Sequence, residues 1–225
     1  MNEDNLSKLE SLYCQIYSCH KCSRAQPSEK PKQAFKQYLT SKLFIIGQSV
    51  AESQVRVSGI PYHYLHKDGV ARLSKPNGKR GKSGGEVLEP YLNKVGYTLS
   101  PFNPNYMLAY TTDIVKCYLG KKPNGDDNPP RKEEIDNCKG WLLEESALIQ
   151  FRILLLLGRP ATKVFRQILG KSFTRASDYY RRPCSFRFGN SDIPVYVLPH
   201  PSPNCTVKGK KELYDSTFEM IKKHL

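Results

Sequence analysis

Four of the seven cysteines have the spacing of ligands to a metal centre. Cys19 and Cys22 are separated by two residues, and Cys117 and Cys138 come from two later segments of the chain. Four thiolates brought together in this way can bind a tetrahedral zinc ion or an iron–sulfur cluster. The alternative is a chance Cys-x-x-Cys beside two cysteines that are buried as small hydrophobic side chains. The spacing alone does not identify the metal.

Polar residues that could bind a ligand follow four short apolar runs of the chain. Asp113 lies near the end of one run, and His200 opens a His-Pro-Ser-Pro segment directly after another. A proline-rich loop with a surface histidine is the alternative for this last segment, and the residues alone favour it. The four segments that follow the runs are 47–54, 113–117, 158–160 and 200–204.

The elements that position these segments alternate between strands and helices. Apolar runs predict strands over 42–46, 106–115, 151–157 and 194–198. Helical spacing of apolar residues predicts helices over 4–18, 86–95, 132–149, 160–169 and 210–224. Because the strands are apolar on both faces, they predict a three-layer αβα fold with a short four-stranded parallel sheet, in a single domain over 1–225. Ligands of such sheets bind outside the carboxyl ends of the strands.

The charge of the chain indicates a polyanionic partner. There are 35 Lys and Arg against 21 Asp and Glu, a net charge of +14. Nucleic acid is the expected partner, and a merely basic protein is the alternative. No apolar run approaches the roughly 20 residues that span a bilayer, and the first ten residues lack the apolar centre of a secretory signal. We therefore expect a cytoplasmic, nucleoid-associated protein of prokaryotic type, in which clustered cysteines indicate metal binding or catalysis rather than disulfides.

Six stretches of the chain line up, in order, with one family. They are Cys-x-x-Cys at 19–22, LFIIGQSVAESQ at 43–54, TTDIVKC at 111–117, RKEEIDNCKGWL at 131–142, ILLLLGRPA at 153–161 and LPHPSPN at 198–204. In these motifs the chain resembles the iron–sulfur uracil-DNA glycosylases, often called family 4. The resemblance implies a structural [4Fe–4S] cluster with four ligands, Cys19, Cys22, Cys117 and Cys138. It also implies hydrolysis of the bond between a base and its deoxyribose, after the base has been flipped out of the DNA.

The resemblance also implies roles for residues that follow the strands. Gln48 and the neighbouring amides would contact the edge of the base, and Tyr62 would stack on it. His200 would donate to the base carbonyl next to the glycosidic nitrogen, where negative charge develops. Ser49 stands where many relatives hold a carboxylate that positions the attacking water, so Glu52 is a candidate substitute. An ordinary turn is the alternative for the first loop, and core packing is the alternative for Tyr62.

Two surfaces are expected to hold the DNA. Ser202 and Pro203 would form a rigid turn in the minor groove, where the amide or the hydroxyl of Ser202 binds a phosphate. The segment 63–84 is an insertion relative to family 4, and it carries an excess of basic residues. A solvated surface loop and a contact to a bulky modified base are the alternatives to phosphate binding there. The candidates for its phosphate contacts are Lys79, Arg80 and Lys82.

Two departures from the uracil-specific relatives concern the choice of base. Asp113 stands where those relatives have Asn, and an ionised carboxylate offers acceptors only. It would oppose O4 of uracil but accept from the N4 amino group of cytosine, and a neutral Asp, which burial favours, could also donate to N3. Ala51 stands where the best-known group has Tyr, which leaves room for a substituent at C5. The alternative for Asp113 is a turn cap, with the base recognised by another residue.

These observations predict a DNA glycosylase that excises an aberrant or modified pyrimidine, with a cytosine-derived base, 5-substituted bases included, as the expected substrate. Such bases are abundant in some phage genomes, which makes antiviral defence a candidate role beside DNA repair. The alternatives are a conventional uracil-DNA glycosylase, a non-catalytic DNA-binding relative and a zinc-containing structural protein. We expect a monomer that acts on double- or single-stranded DNA, without a membrane or an obligate protein partner.

Overall fold

The computed structural model is built around a five-stranded sheet. It describes residues 3–24, 32, 34–50, 59–67, 70–76, 82–123, 125, 127–159, 161–163, 175–188, 191–203 and 205–225. Its strands are β1 (Leu43–Ser49), β2 (Tyr64–Leu65), β3 (Ala71–Arg72), β4 (Tyr97–Thr98), β5 (Met107–Leu108), β6 (Tyr110–Val115), β7 (Ile153–Leu157), β8 (Cys184–Phe188) and β9 (Ser191–Leu198). Its helices are α1 (Glu3–Tyr17), α2 (Lys36–Leu39), α3 (Gly84–Asn93), α4 (Lys132–Leu148) and α5 (Lys210–Lys222), and a 3-10 helix spans Ala176–Tyr179.

The strand order of the central sheet is β6-β1-β7-β9-β8. The first four of these strands run parallel, and β8 runs antiparallel to β9. All five residues of β7 are buried, because this strand lies in the middle of the sheet and both of its faces are covered. Apolar runs of this kind are typical of parallel sheets between two helical layers. The four parallel strands and the αβα layers confirm the predicted fold.

Two hydrophobic cores lie on opposite faces of the sheet, because successive side chains of a strand point to opposite faces. On one face Phe44 and Ile46 pack with residues of α1 and α4. On the other face Leu43 and Ile45 pack with residues of α3 and α5. Each large side chain that is fully buried in such a core, such as Phe218, contributes about 1.5–3 kcal/mol. The two cores together fix the helices on both sides of the sheet.

Strand β8 is the main difference from the predicted sheet, which had four strands. Its successive side chains are alternately partly buried and exposed. Cys184 and Phe186 pack partly against the core, whereas Ser185 and Arg187 are exposed. An antiparallel edge strand with one face open to solvent has this alternation instead of an apolar run. The strand therefore lacks the signal from which the other four were predicted.

Smaller differences concern the segments between the predicted elements. The predicted strand over 106–115 is divided into β5 and β6. The basic segment 63–84 contains the short antiparallel hairpin of β2 and β3. The predicted helix over 160–169 lies largely outside the described residues, although 161–163 are helical. Among the helices that the structure describes, none is both long and apolar enough to cross a membrane.

The carboxyl ends of the four parallel strands meet at one edge of the sheet, which we call the carboxyl edge. They end at Ser49, Val115, Leu157 and Leu198. Asp113 lies two residues before the end of β6, and the segment that begins with His200 follows β9. The fold therefore brings together the segments in which the sequence predicts a ligand site.

Candidate active site

Asp113 and Gly47 lie side by side near the carboxyl edge. The two residues are paired in register between β6 and β1. A methyl group built on Gly47 would overlap Oδ1 of Asp113 and would lie 3.5 Å from the hydroxyl oxygen of Tyr62. The Asp113 carboxyl group thus occupies the space that a side chain at position 47 would need. Glycine at this position allows Asp113 and Tyr62 to approach the same point.

The carboxyl group of Asp113 is surrounded by charges of both signs. Burial raises its pKa from 3.8 to about 6; Lys116 and Lys32 act against this rise, and Glu145 adds to it. A carboxyl group with such a pKa is mostly ionised at neutral pH but takes up a proton at little cost. Asp113 can therefore offer acceptors only, or an acceptor and a donor, to a ligand at this edge.

Tyr62 borders Asp113 in an unusual backbone conformation. Its φ is 64°, in the left-handed region that residues other than glycine rarely adopt. Gly85 in the first turn of α3 leaves room for it, because a methyl group there would lie 3.1 Å from the carbonyl oxygen of Tyr62. Burial and the charge of Asp113 raise the pKa of the hydroxyl, so the phenol is neutral. Tyr62 packs in the core of α3 and α5 and also reaches the site.

His200 lies directly beyond β9 and contacts the residue that follows β7. A methyl group on Gly158 would lie 3.4 Å from Cβ of His200, and Gly158 itself has a φ of 85°. The backbone N–H of Ser202 donates to Nδ1 of His200 over 3.1 Å. Burial and the nearby charge of Lys210 lower the pKa of the imidazole to about 4. The ring is therefore neutral at physiological pH, and its proton is on Nε2, which can donate to a ligand.

The turn after His200 is held from two sides. The ammonium group of Lys210, at the start of α5, donates to the carbonyl oxygens of Pro201 at 3.1 Å and Ser202 at 2.6 Å. On the other side, a methyl group on Gly84 would lie 3.5 Å from Cγ of Pro201. The Ser202 amide is engaged by His200, and Pro203 is exposed. The contacts of both residues with DNA stay predictions.

Only some of the other predicted site residues lie in the part of the chain that the structure describes. Gln48 and Ser49 end β1, are partly buried and lie beside the strand that carries Asp113. Lys82 is exposed and precedes Ser83, the residue that caps α3. The remaining candidates lie outside the described residues, so their assignments stay predictions. They are Ala51, Glu52, Lys79 and Arg80.

The four candidate cysteine ligands are neighbours in space. Cys117 follows β6 and Cys138 lies on α4, and both side chains are buried. Burial raises the pKa of the Cys117 thiol to about 12, and Cys138, Cys19 and Cys22 raise it further through their charges. Burial likewise raises the pKa of Cys138, while a hydrogen bond from the Lys116 backbone lowers it. The charges of the other three thiols act on Cys117, so the four cysteines lie in one region of the fold. Their assignment as metal ligands stays a prediction.

Within the described part of the chain, no group of three or more His, Cys, Asp or Glu side chains is arranged to hold a single metal ion. The two centres that four thiols can hold are a tetrahedral zinc ion and an iron–sulfur cluster.

Contacts outside the cysteines also attach the Cys19–Cys22 segment to α4. The guanidinium group of Arg24 donates to both carboxylate oxygens of Glu134 at 2.8 Å, and to the carbonyl oxygen of Pro129 at 3.1 Å. The side chain of Asn137 donates to the sulfur of Cys22 at 3.3 Å. Such bidentate Arg–carboxylate pairs are among the stronger polar contacts in proteins.

A buried charge network, which the sequence analysis missed, lies between β6 and α4. Glu145 accepts from the Thr112 hydroxyl at 2.8 Å and from Lys116, and its carboxylate lies 3.7 Å from the ammonium group of Lys32. That ammonium group also lies 4.2 Å from the centre of the Tyr110 ring. A signal for Glu145 was available, because it continues the apolar stripe of α4 at helical spacing.

The network places three ionisable groups inside the protein. Burial lowers the pKa of Lys32 to about 7, although Glu145 acts in the opposite direction. Burial alone would raise the pKa of Glu145, but Lys116 and Lys32 hold it below its ordinary value. Two of these charges, Lys116 and Lys32, also limit the rise in the pKa of Asp113. The network therefore influences the pKa of Asp113 in the candidate active site.

Comparison with known proteins agrees with this geometry. The family model described as "Uracil DNA glycosylase superfamily" matches residues 34–222. A type-4 uracil-DNA glycosylase of Archaeoglobus fulgidus is 24% identical over 137 residues, which are 59% of this chain and 66% of the relative. Another of Sulfurisphaera tokodaii is 24% identical over 114 residues, 51% of this chain and 50% of the relative. A type-5 enzyme of Pyrobaculum aerophilum is 32% identical over 99 residues, 42% of this chain and 37% of the relative.

These matches extend over about a third to two thirds of the length of each relative. The family model, in contrast, covers most of the chain, from α2 to the last turn of α5. It includes the three strand ends that carry Gly47, Asp113 and His200. The chain therefore belongs to the uracil DNA glycosylase superfamily.

Proposed function

We propose that this protein is a DNA glycosylase that flips a pyrimidine base out of DNA and hydrolyses its N-glycosidic bond, leaving an abasic site. The observation that carries the proposal is the neutral imidazole of His200, whose Nε2 is left as a hydrogen-bond donor. It stands at the carboxyl edge of the sheet together with Asp113 and Tyr62. Superfamily membership supports the same reaction class.

His200 acts on the base as it leaves. When the glycosidic bond breaks, negative charge develops on the carbonyl oxygen next to the glycosidic nitrogen. A fixed N–H donor aimed at this oxygen stabilises the transition state more than the ground state. Because its pKa is about 4, His200 does this as a neutral donor and does not need to transfer its proton. The hydrogen bond from Ser202 keeps the ring in the required tautomer.

Asp113 selects the base in this proposal, and the expected substrate is a cytosine-derived pyrimidine. An ionised carboxylate facing position 4 accepts from the amino group of cytosine but opposes the carbonyl oxygen of uracil. The pKa of about 6 makes a shared proton available between Asp113 and N3 of cytosine. If Ala51 leaves room at C5, bases with a substituent there fit as well. Since such bases are abundant in some phage genomes, antiviral defence is a candidate role beside DNA repair.

Release of each candidate base in single-turnover assays tests this specificity. The substrates are matched duplexes that contain uracil, cytosine, hypoxanthine, 5-hydroxymethylcytosine or its glucosylated form. The wild type is expected to spare uracil, and Asp113→Asn is expected to gain uracil release. Asp192→Asn removes the same charge from an exposed position at the start of β9 and serves as the control. Wild-type release of uracil alone, unchanged in Asp113→Asn, would identify a conventional uracil-DNA glycosylase.

A second candidate is a DNA-binding protein without catalysis. Ser49 favours it, because this residue at the end of β1 cannot position water as a carboxylate does. Tight, salt-dependent binding of every duplex, with no base released from any of them, is the result expected for this candidate. Ser49→Asp then offers a direct check, since a restored carboxylate should produce base release if the rest of the site is intact.

We also propose that Cys19, Cys22, Cys117 and Cys138 hold a [4Fe–4S] cluster. Support comes from the electrostatic influence that Cys138, Cys19 and Cys22 have on Cys117, and from the resemblance to the iron–sulfur enzymes of the family. The cluster would join the N-terminal segment to the loop after β6, and its role would be structural. Anaerobically purified protein should contain about four iron and four sulfide ions per chain, with a visible absorption band that is lost in Cys138→Ser. Colourless protein with one zinc ion per chain would refute the cluster.

A further inference from the structure

We propose that three arginines beside the His200 turn, Arg159, Arg181 and Arg182, bind the phosphate backbone of DNA. We call them the arginine edge. All three are exposed. None of them is among the residues that the sequence predicts to bind DNA. The proposal goes beyond base excision, because it concerns how the duplex is held and not which base is removed.

The strand directions bring the arginines together. Arg159 follows Gly158, the residue after β7, and therefore lies at the carboxyl edge. Strand β8 is antiparallel to its neighbours, so its beginning, and not its end, lies toward this edge. Cys184, the first residue of β8, pairs with Val195, and the strand then runs away from the site as far as Phe188, opposite Ser191. Arg181 and Arg182 precede β8, so they lie on the side of Cys184 that is nearer to the carboxyl edge.

Electrostatic influences agree with this placement. Tyr180 directly precedes the arginine pair; burial raises the pKa of its hydroxyl group, Cys205 raises it further, and the charge of Arg159 lowers it. The N–H of Cys205 in turn donates to the carbonyl oxygen of Ser202 over 3.0 Å. The segments after β7, before β8 and after β9 thus meet beside the turn that is expected to enter the minor groove. A phosphate near that turn would be within reach of long side chains from all three.

The backbone conformation of Arg181 is one that favours glycine, which indicates a function for the arginine side chain. Tyr180 has φ −63° and ψ 128°, Arg181 has φ 70°, and the N–H of Arg182 donates to the carbonyl oxygen of Tyr179 over 3.2 Å. These are features of a type II turn with Arg181 at the third position, where glycine is favoured because φ is positive. An arginine at this position strains the backbone, and such strain is concentrated at functional sites.

The chemistry of the edge fits a phosphate diester. Guanidinium groups bind phosphate oxygens with two parallel hydrogen bonds and are always charged. The acidic side chain on the adjoining 3-10 helix, Asp178, accepts from the backbone N–H of Arg175, where it caps that helix. Phosphate contacts fix the position of a protein on DNA but carry no sequence information. The arginine edge should therefore change affinity and salt dependence without changing the choice of base.

Two pairs of arginines provide matched tests. Arg159 and Arg152 flank the two ends of β7, and Arg182 and Arg187 lie near the two ends of β8; all four are exposed. A strand of five residues is about 17 Å long, so Arg152 and Arg187 lie well away from the carboxyl edge. Substitution of each by Gln removes the same charge from the molecule. A difference in DNA affinity between the two variants of a pair is then due to the position of the arginine and not to the net charge.

The experiment measures the dissociation constant for an undamaged duplex at several salt concentrations. Removal of one arginine–phosphate interaction should reduce the magnitude of the slope of log K against log salt by about 0.9. Arg159→Gln and Arg182→Gln should show this reduction, with weaker binding, whereas Arg152→Gln and Arg187→Gln should match the wild type. Equal slopes within each pair would overturn the proposal. Because no base release is measured, the result is independent of whether the proposed excision is correct.

Arg181→Gly separates binding from folding. The glycine relieves the strained turn, so the melting temperature should rise or stay the same. Binding of the undamaged duplex should nevertheless weaken, with the same reduction of the salt slope. If Arg181→Gly binds DNA as tightly as the wild type, Arg181 does not bind the phosphate backbone. A variant that also melts at a lower temperature would contradict the turn argument.

Discussion

The backbone N–H of Ser202 donates to Nδ1 of His200 over 3.1 Å. A ring nitrogen that accepts a hydrogen bond carries a lone pair, so the proton of the neutral imidazole must be on Nε2. The two residues are separated only by Pro201, whose ring restricts the backbone of the turn. Lys210 holds the next two carbonyl oxygens and, with burial, keeps the imidazole from gaining a second proton. The turn thus determines both the charge and the tautomer of His200.

Replacement of His200 should reduce base release without unfolding the protein. His200→Ala removes the donor, and the single-turnover rate should fall by about 10²–10³-fold, as it does when one donor to a developing oxyanion is lost. His200→Gln keeps an N–H near the position of Nε2 and should lose less. Thermal melting and the affinity for undamaged DNA serve as controls and should change little. An alanine variant with the wild-type rate would exclude His200 from the reaction.

Replacement of Asp113 by Asn should stabilise the protein at neutral pH but not at acid pH. Folding raises the pKa of Asp113 from 3.8 to about 6. Between these values the folded chain binds a proton that the unfolded chain does not, so wild-type stability falls as the pH rises through this window. Asn has no such proton. The advantage of Asp113→Asn should therefore grow between pH 4 and pH 7, to about 1–3 kcal/mol. Urea denaturation at several pH values measures it, and a pH-independent difference would contradict the raised pKa.

Much of the fold and part of the site could be predicted because their signals are local. The run Ile153–Leu157 is apolar at every position, and such a short run is typical of a strand covered on both faces. Asp113 and His200 follow from the same signal, since each stands where such a run ends. The cysteine pair is likewise a local pattern, and the two later cysteines reach it through the fold.

The rest depends on tertiary contacts that leave little trace in the sequence. Lys32 lies in a polar, basic stretch that is typical of a surface loop, yet its ammonium group is enclosed by tyrosine rings beside Glu145. Tyr62 adopts a left-handed conformation that its residue type does not predict, with its carbonyl oxygen close to Gly85. The position of Arg181 at the carboxyl edge follows from the direction of β8, a strand without an apolar run.

Neutralising Glu145 should destabilise the protein strongly. Glu145→Gln leaves Lys116 and Lys32 buried without their negative partner, and breaking a buried ion pair in this way typically costs about 3–5 kcal/mol. Urea denaturation at pH 7 measures the loss. The control is Asp4→Asn, which removes the surface pair of Asp4 with Lys8 and should have almost no effect. Similar small losses in both variants would show that the network contributes little to folding.

Arg24 should keep the Cys19–Cys22 segment on α4 when the proposed cluster is removed. The pair that Arg24 forms with Glu134 does not involve a cysteine, so it should persist in the wild type without the cluster. Limited proteolysis after chelation should therefore cut Arg24→Gln within residues 19–24 much faster than wild type. Lys8→Gln, on the exposed face of α1, is the control. Equal cleavage of the wild type and Arg24→Gln would mean that the metal alone holds the segment.

A side chain at position 47 should disturb the site through Asp113. In Gly47→Ala the new methyl group overlaps Oδ1 of Asp113, so the carboxyl group must move and base release should be lost, with a stability cost of about 1–3 kcal/mol. Gly140→Ala is the control: its methyl group would meet nothing within 4 Å, and in a helix it should stabilise by about 0.5–1 kcal/mol. A second substitution, Asp113→Ala, should abolish the stability cost of Gly47→Ala if the clash is its cause. Unfolding free energies of the two single variants and the double variant decide this, because additive losses would place the strain elsewhere.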